Sequence, residues 1–236
     1  AQCELVVRAL GEDDGDLRSA AALVTARSIL GDLTGALRIA DRLLSPSAAS
    51  SDGDTADMLT LLLAAAGLHL MAGWPRRSSP LAQRALALAE RIGDDAALYS
   101  ARTLLSLSRA LNGEYPAARE SLAEGAALRA RHGWAVSSTD LPRILAELLG
   151  ASAALDADAL GEVAAEFERG FITDPTWALA LADTQAMRLL VEGDHPRALA
   201  LLQLVAGRSD NSGMTPMLRG FAIGMRADLH LNRGEA

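Results

Sequence analysis

The chain has no lysine: all 22 of its basic residues are arginine. That removes a Schiff-base amine and the lysine of a phosphate loop. The single cysteine, Cys3, excludes an internal disulfide and any zinc framework built on cysteine spacing. Aromatic residues are 3% of the sequence, and β-branched residues are sparse, so the side chains a sheet favours are missing. Positive charge is also short, with a formal net charge of −8. Phosphate neutralisation dominates nucleic-acid affinity, so direct nucleic-acid contact is not expected. No catalytic motif stands out. Gly-x-Gly and Gly-x-Ser-x-Gly are absent. "SDN" at 209–211 echoes a motif of penicillin-recognising enzymes, but that chemistry also needs Ser-x-x-Lys. The acidic clusters at 11–16 and 50–57 lack calcium-loop spacing. The four histidines are dispersed without metal-ligand spacing. We therefore expect no enzyme, no cofactor and no metal.

What the chain does have is alanine and leucine, with half of its residues apolar. Small and straight side chains favour helix and let helices approach closely. The most apolar run, residues 58–74, is short for a membrane span and contains His69. It reads as a buried helix. No secretory signal is visible, which makes the cytoplasm the default compartment. The bias toward Ala, Arg, Leu and Gly without Lys is that of a GC-rich bacterial genome.

One glycine recurs. Gly31, Gly73, Gly113, Gly193 and Gly234 are 42, 40, 80 and 41 residues apart, and the 80 spans two periods with a degenerate repeat inside. A fixed period near 40 signals stacked repeats. Each glycine ends an apolar-periodic helix, where a left-handed conformation is needed. The next residue is acidic in four cases, Asp32, Glu114, Asp194 and Glu235, which suits the positive end of a following helix. Five residues after the glycine stands a small residue, Ala36, Ser78, Ala118 or Ala198, which allows the second helix to lie close to the first. Pro116 and Pro196 fall in the first turn of the second helix.

The repeated unit is thus a helical hairpin. First helices are predicted at about 16–30, 55–72, 95–112, 139–150, 175–192 and 215–233. Second helices are predicted at about 34–44, 79–92, 116–131, 156–169 and 196–206. Capping residues mark the starts: Asp54 and Thr55, Asp94 and Asp95, Thr139 and Asp140, and Asp174 before Pro175. The fourth unit lacks the turn glycine, which predicts a distorted hairpin. One hairpin cannot bury its own apolar faces, so neighbours must stack. The expected fold is all-α: a right-handed α-solenoid of antiparallel hairpins at 16–44, 55–92, 95–131, 139–169 and 175–206, with 215–233 unpaired, in one domain over 1–236. An Ala at position 1 and an end at the turn Gly234–Glu235–Ala236 predict a piece of a longer chain.

"NGEYPAARESL" at 112–122, with its Gly, acidic, aromatic and Ala positions, resembles the tetratricopeptide repeat. With a period near 40, and with "RALALAERIGDD" (84–95) and "LLVEGDHPRALALLQ" (189–203), the chain is similar to the C-terminal helical repeats of large ATP-binding LuxR-family regulators of the MalT type. The resemblance implies a sensor or interaction segment of a transcriptional regulator, taking a small-molecule inducer or a protein segment. A free-standing tetratricopeptide-like adaptor is the alternative. The nucleotide-binding and DNA-binding modules of such regulators are not recognisable in these residues.

One candidate binding pattern remains. Four residues before the repeat glycine stand Arg27, His69, Arg109, Leu189 and His230. Gln185 and Arg226 lie eight before it, and Arg102 eleven before. These spacings place the groups on one face of the first helices. One reading is a basic stripe for an anionic ligand or acidic partner segment. The other is the ordinary preference of helix C-termini for cations. Trp74, Trp134 and Trp177 fall at unit boundaries and are expected to pack between repeats.

Overall fold

The structure, a computed structural model, describes residues 17–45, 55–135, 140–171 and 175–209, with Cys3, Glu4 and Val7. Among the described residues there are ten helices and no strand. They are α1 (Leu17–Ile29), α2 (Leu33–Leu43), α3 (Ala56–Met71), α4 (Pro75–Ile92), α5 (Asp95–Leu111), α6 (Tyr115–His132), α7 (Leu141–Ala154), α8 (Ala157–Phe171), α9 (Pro175–Glu192) and α10 (His195–Ser209). The chain is all-α, as its composition predicts. The predicted helix at 215–233, the sequence 210–211 and the capping residues Asp54, Thr139 and Asp174 lie outside the described residues.

The chain divides into two compact units, Ala1–Gly133 and Trp134–Ala236. In the first, each helix from α1 to α6 that follows a tight turn packs on its predecessor, and α3 also packs on α1 and α5. The buried clusters therefore cross from one hairpin to the next. One joins Leu23 and Val24 of α1, Leu37 and Ile39 of α2, and Leu61 and Leu68 of α3. Another joins Leu59 and Leu62 of α3, Leu88 of α4 and Ala101 of α5. In the second unit α9 packs on both α8 and α10, and Ala186 with Leu202 lies at the α9–α10 contact. Apolar faces that a single hairpin leaves wet are covered by the next one.

The turn glycines do what their backbone freedom allows. Gly31, Gly73, Gly113 and Gly193 have φ of 84°, 78°, 80° and 85°, the left-handed region that L-residues avoid. At each, the glycine N–H bonds the carbonyl three residues back and the next N–H bonds the carbonyl five residues before it, as in Gly31 to Ser28 and Asp32 to Arg27. Both bonds satisfy carbonyls that a helix end leaves without partners. The residue five after the glycine is buried in all four: Ala36, Ser78 and Ala198 are 0% exposed and Ala118 3%.

Two expectations need correction. The fourth hairpin is not distorted. Leu155 takes φ 53°, its N–H bonds Ser152 and the Asp156 N–H bonds Ala151, the same pattern as at the glycines. Helix α7 therefore continues to Ala154, beyond the predicted 150. Helix α4 starts at Pro75 instead of 79, because proline at the first helical position needs no N–H partner.

Candidate functional site

The stripe residues are drawn into local contacts. Arg27 Nη1 lies 2.7 Å from the Asp32 carboxylate, whose other oxygen accepts from the Gly35 N–H at 2.9 Å and caps α2. The Gly35 bond, helped by the Arg27 cation, holds the Asp32 carboxyl below its ordinary value. A side chain at Gly35 would meet the ends of the Asp32 and Arg27 side chains, which would have to shift. His69, on α3, is buried, and its Nε2 is 3.2 Å from Asp41 Oδ1 on α2. Burial lowers the His69 pKa more than Asp41 raises it. Arg109 Nη1 donates to the Ala117 carbonyl at 3.1 Å and to Ser121 Oγ at 2.7 Å, tying α5 to α6. Arg102 pairs with Glu124 on α6 and, at 3.7 Å, with Glu90 on α4. Gln185 Nε2 donates to Glu168 Oε1 at 3.4 Å. Arg226 and His230 lie outside the described residues. Each described member holds a different local partner, so the shared offset does not by itself assemble a site.

The second hairpin turn is different. Where the other turns carry Asp32, Glu114, Asp156 and Asp194, this one carries Trp74, followed by Pro75, Arg76 and Arg77. Trp74 makes no side-chain cap bond and is 44% exposed. It does not pack between repeats as expected. Its ring instead rests against His69, with centroids 5.9 Å apart, and the Arg77 guanidinium lies 5.0 Å from its centroid. Arg76 and Arg77 are exposed. Among the described residues neither has an acidic partner, whereas Arg27, Arg102, Arg131, Arg143, Arg188 and Arg197 all do. Gly73, Trp74, Pro75, Arg76 and Arg77 line one side of an open groove of about 640 Å³, and Leu111 and Asn112 of the third hairpin turn line the other. The signal for this place was present in the sequence as a break in the acidic-cap rule beside two consecutive arginines.

Among the buried charged residues of the second unit are Arg143 and Asp183. Arg143 on α7 is 4% exposed and pairs with Glu147, at 2.7 Å, and with Glu166 on α8. Burial alone would lower its pKa, but the two carboxylates raise it. Asp183 on α9 is 8% exposed, and its Oδ1 is buried without a hydrogen-bond partner. Burial pushes its carboxyl up to about 7. The sequence did not single out either group. Among the described residues no three His, Cys, Asp or Glu side chains form a cluster fit to hold a metal ion, and no helix is long and apolar enough to cross a membrane.

Compared with protein-family models, curated proteins and solved structures, the chain matches none.

Proposed function

We propose that the chain is a non-catalytic binding scaffold: a right-handed α-solenoid of tetratricopeptide-like hairpins in one helical-repeat domain. The observation that carries this reading is the recurrence of one turn geometry at Gly31, Gly73, Gly113, Leu155 and Gly193. Each turn is followed five residues later by a buried residue, including Leu160 in the fourth hairpin. A repeated supersecondary unit stacked on its neighbours builds an extended surface whose exposed side chains are free to vary. Within that reading, the resemblance to LuxR-family regulators favours a sensor or interaction segment of such a regulator. A free-standing adaptor is the alternative.

Two measurements test it. A compact chain of 236 residues has a radius of gyration of about 18 Å, and a solenoid should exceed about 20 Å in small-angle scattering. A value at or below the compact one rejects the solenoid. A thermal-shift screen against metabolites then tests binding, since a ligand of the folded state alone raises the melting temperature. The longer gene separates regulator from adaptor. A nucleotide-binding module before these residues and a helix-turn-helix after them favour the regulator.

A further inference from the structure

We propose that the groove between the second and third hairpin turns binds an acidic, extended segment of a partner protein, with Arg76 and Arg77 gripping its carboxylates and Trp74 receiving an apolar side chain. This deepens the scaffold reading and rests on it.

Charge points to the site first. In a chain with a net charge of −8, Arg27, Arg188 and Arg197 near the hairpin turns are each paired with an acidic neighbour. Arg76 and Arg77 are adjacent, exposed and without an acidic partner among the described residues. Guanidinium groups match carboxylates with two parallel hydrogen bonds, and such charge-assisted pairs are the strong ones. An exposed pair of that kind is a complement waiting for an anion. Two residues before the pair, Trp74 stands where every other aligned turn carries a carboxylate, so this turn lacks the negative charge the others have.

The groove's apolar side decides what kind of anion. Trp74, Pro75 and Leu111 line it beside the arginines. His69 packs against Trp74 in a tilted ring contact and the Arg77 guanidinium lies over the indole, so the part of the indole left exposed is fixed in place at little entropic cost. Tryptophan and arginine are both enriched where binding energy concentrates. A phosphate group alone would use the cations and leave the apolar wall in water.

The backbone also disfavours a phosphate. A helix N-terminus binds phosphate through unpartnered N–H groups. Here the Trp74 N–H donates to His69 and the Arg77 and Ser78 N–H groups donate to the Trp74 carbonyl. Pro75 has no N–H. Of the N–H groups of this first turn only that of Arg76 has no bond of this kind, so recognition comes chiefly from side chains. The groove is open, which suits an extended chain running along it better than a small molecule that needs most of its surface enclosed.

The test is selection from a random dodecapeptide display library on the wild-type chain, with the Arg76→Glu/Arg77→Glu variant as the counter-selection. The enriched consensus peptide is then synthesised with a fluorescent label and titrated by anisotropy. The expected consensus pairs Asp or Glu with an apolar residue. Its affinity should fall about tenfold or more in Arg76→Glu/Arg77→Glu and in Trp74→Ala. It should also fall as salt rises from about 0.05 to about 0.5 M. Far-ultraviolet circular dichroism and unchanged melting temperatures establish that the variants are folded, and a milder Arg76→Gln/Arg77→Gln variant serves if charge reversal unfolds the chain. A peptide that binds all variants as it binds the wild type overturns the groove while leaving the scaffold reading intact. Failure to enrich any acidic sequence overturns it as well. Tripolyphosphate displacing the peptide and binding alone with the same arginine dependence would reassign the groove to phosphate ligands.

Discussion

The turn at Gly73 and the turn at Leu155 each break the common pattern at one position, and they break it at different ones. The first keeps the glycine and replaces the acidic residue after it with Trp74. The second keeps the acid, with Asp156 accepting from the Ala159 N–H at 3.0 Å, and replaces the glycine with leucine. Both nevertheless form the same two backbone bonds, Gly73 to Leu70 with Trp74 to His69, and Leu155 to Ser152 with Asp156 to Ala151. The shared feature is thus the pair of helix-end hydrogen bonds and the buried residue five positions on. Neither the glycine nor the acid is indispensable. A position that the turn geometry does not need is free to carry binding chemistry, and at Trp74 it carries an exposed indole beside two arginines.

Alignment on these turns also locates the charge that fits the repeat least. Ten residues before the turn stand Ala21, Leu63, Thr103, Leu145 and Asp183. The aspartate thus fills a position that is apolar or weakly polar in the other four hairpins, and it does so without a partner for Oδ1. The largest effect should come from here. Burial raises the Asp183 carboxyl to about 7 in the folded state, above the value near 4 of an unfolded chain. The native state then binds more protons between those values, so stability falls as pH rises from about 4 to about 7. Each tenfold change in proton affinity corresponds to about 1.4 kcal/mol, so the loss across that range is on the order of 4 kcal/mol. Asp183→Asn should match the wild type near pH 4 and exceed it above pH 7, with a flatter profile in between. Chemical denaturation at a series of pH values measures this, and parallel profiles for the two proteins would contradict it.

Next in size is the position five after the turn, where two hairpins of the second unit differ in volume. Leu160 is 0% exposed and fills the space that Ala198 fills in the following hairpin, also at 0%. Leu160→Ala opens a cavity and should cost about 2–5 kcal/mol. Ala198→Leu, like Ala118→Leu, should overpack the crossing and cost roughly 1–3 kcal/mol. If either alanine accepts leucine with no change in melting temperature, the hairpins do not meet where the alignment places them.

The turn residue itself comes third. A Cβ at Gly113 would touch nothing within 4 Å, so Gly113→Leu tests backbone strain alone and should cost about 1–2 kcal/mol. Leu155→Gly removes that strain but adds glycine's unfolded-state freedom, which offsets about 0.5–1 kcal/mol. A small net gain is expected. Equal and opposite changes at the two sites would mean that the unfolded-state term is negligible here.

These positions also show what could be read before the structure and what could not. Gly31, Gly73, Gly113 and Gly193 announced the hairpins because the need for positive φ is local and strongly selects glycine. Leu155 hid a fourth turn because leucine in that conformation leaves no sequence trace. The arginine and histidine stripe showed a true common offset. Its partners, such as the Ala117 carbonyl and Ser121 for Arg109, depend on how one helix packs on the next. Nothing in the sequence marked Asp183, because burial of one residue in a mixed helix is decided by tertiary contacts. Trp74 looked like packing for the same reason.

The smallest effect sharpens the comparison most directly. Trp74→Ala and Trp74→Asp both remove the indole, so their difference isolates the cap. The aspartate should accept from the Arg77 N–H, as Asp32 accepts from Gly35 and Asp156 from Ala159. A capping carboxylate in place of alanine stabilises by about 1 kcal/mol, so Trp74→Asp should be the more stable variant at neutral pH. The sign of its pH dependence follows from Asp32, whose folded-state pKa is lowered chiefly by the backbone bond from Gly35. A depressed carboxyl contributes stability above its unfolded value and loses it as pH falls through the folded one. The advantage of Trp74→Asp over Trp74→Ala should therefore vanish in acid, below the unfolded value near 4. Urea denaturation of both variants at neutral and acid pH measures the difference. A difference that persists in acid would mean that the aspartate acts through packing and not through its charge. Both variants should lose the acidic peptide, because the cap restores the repeat's ordinary chemistry at the position where binding needs the indole.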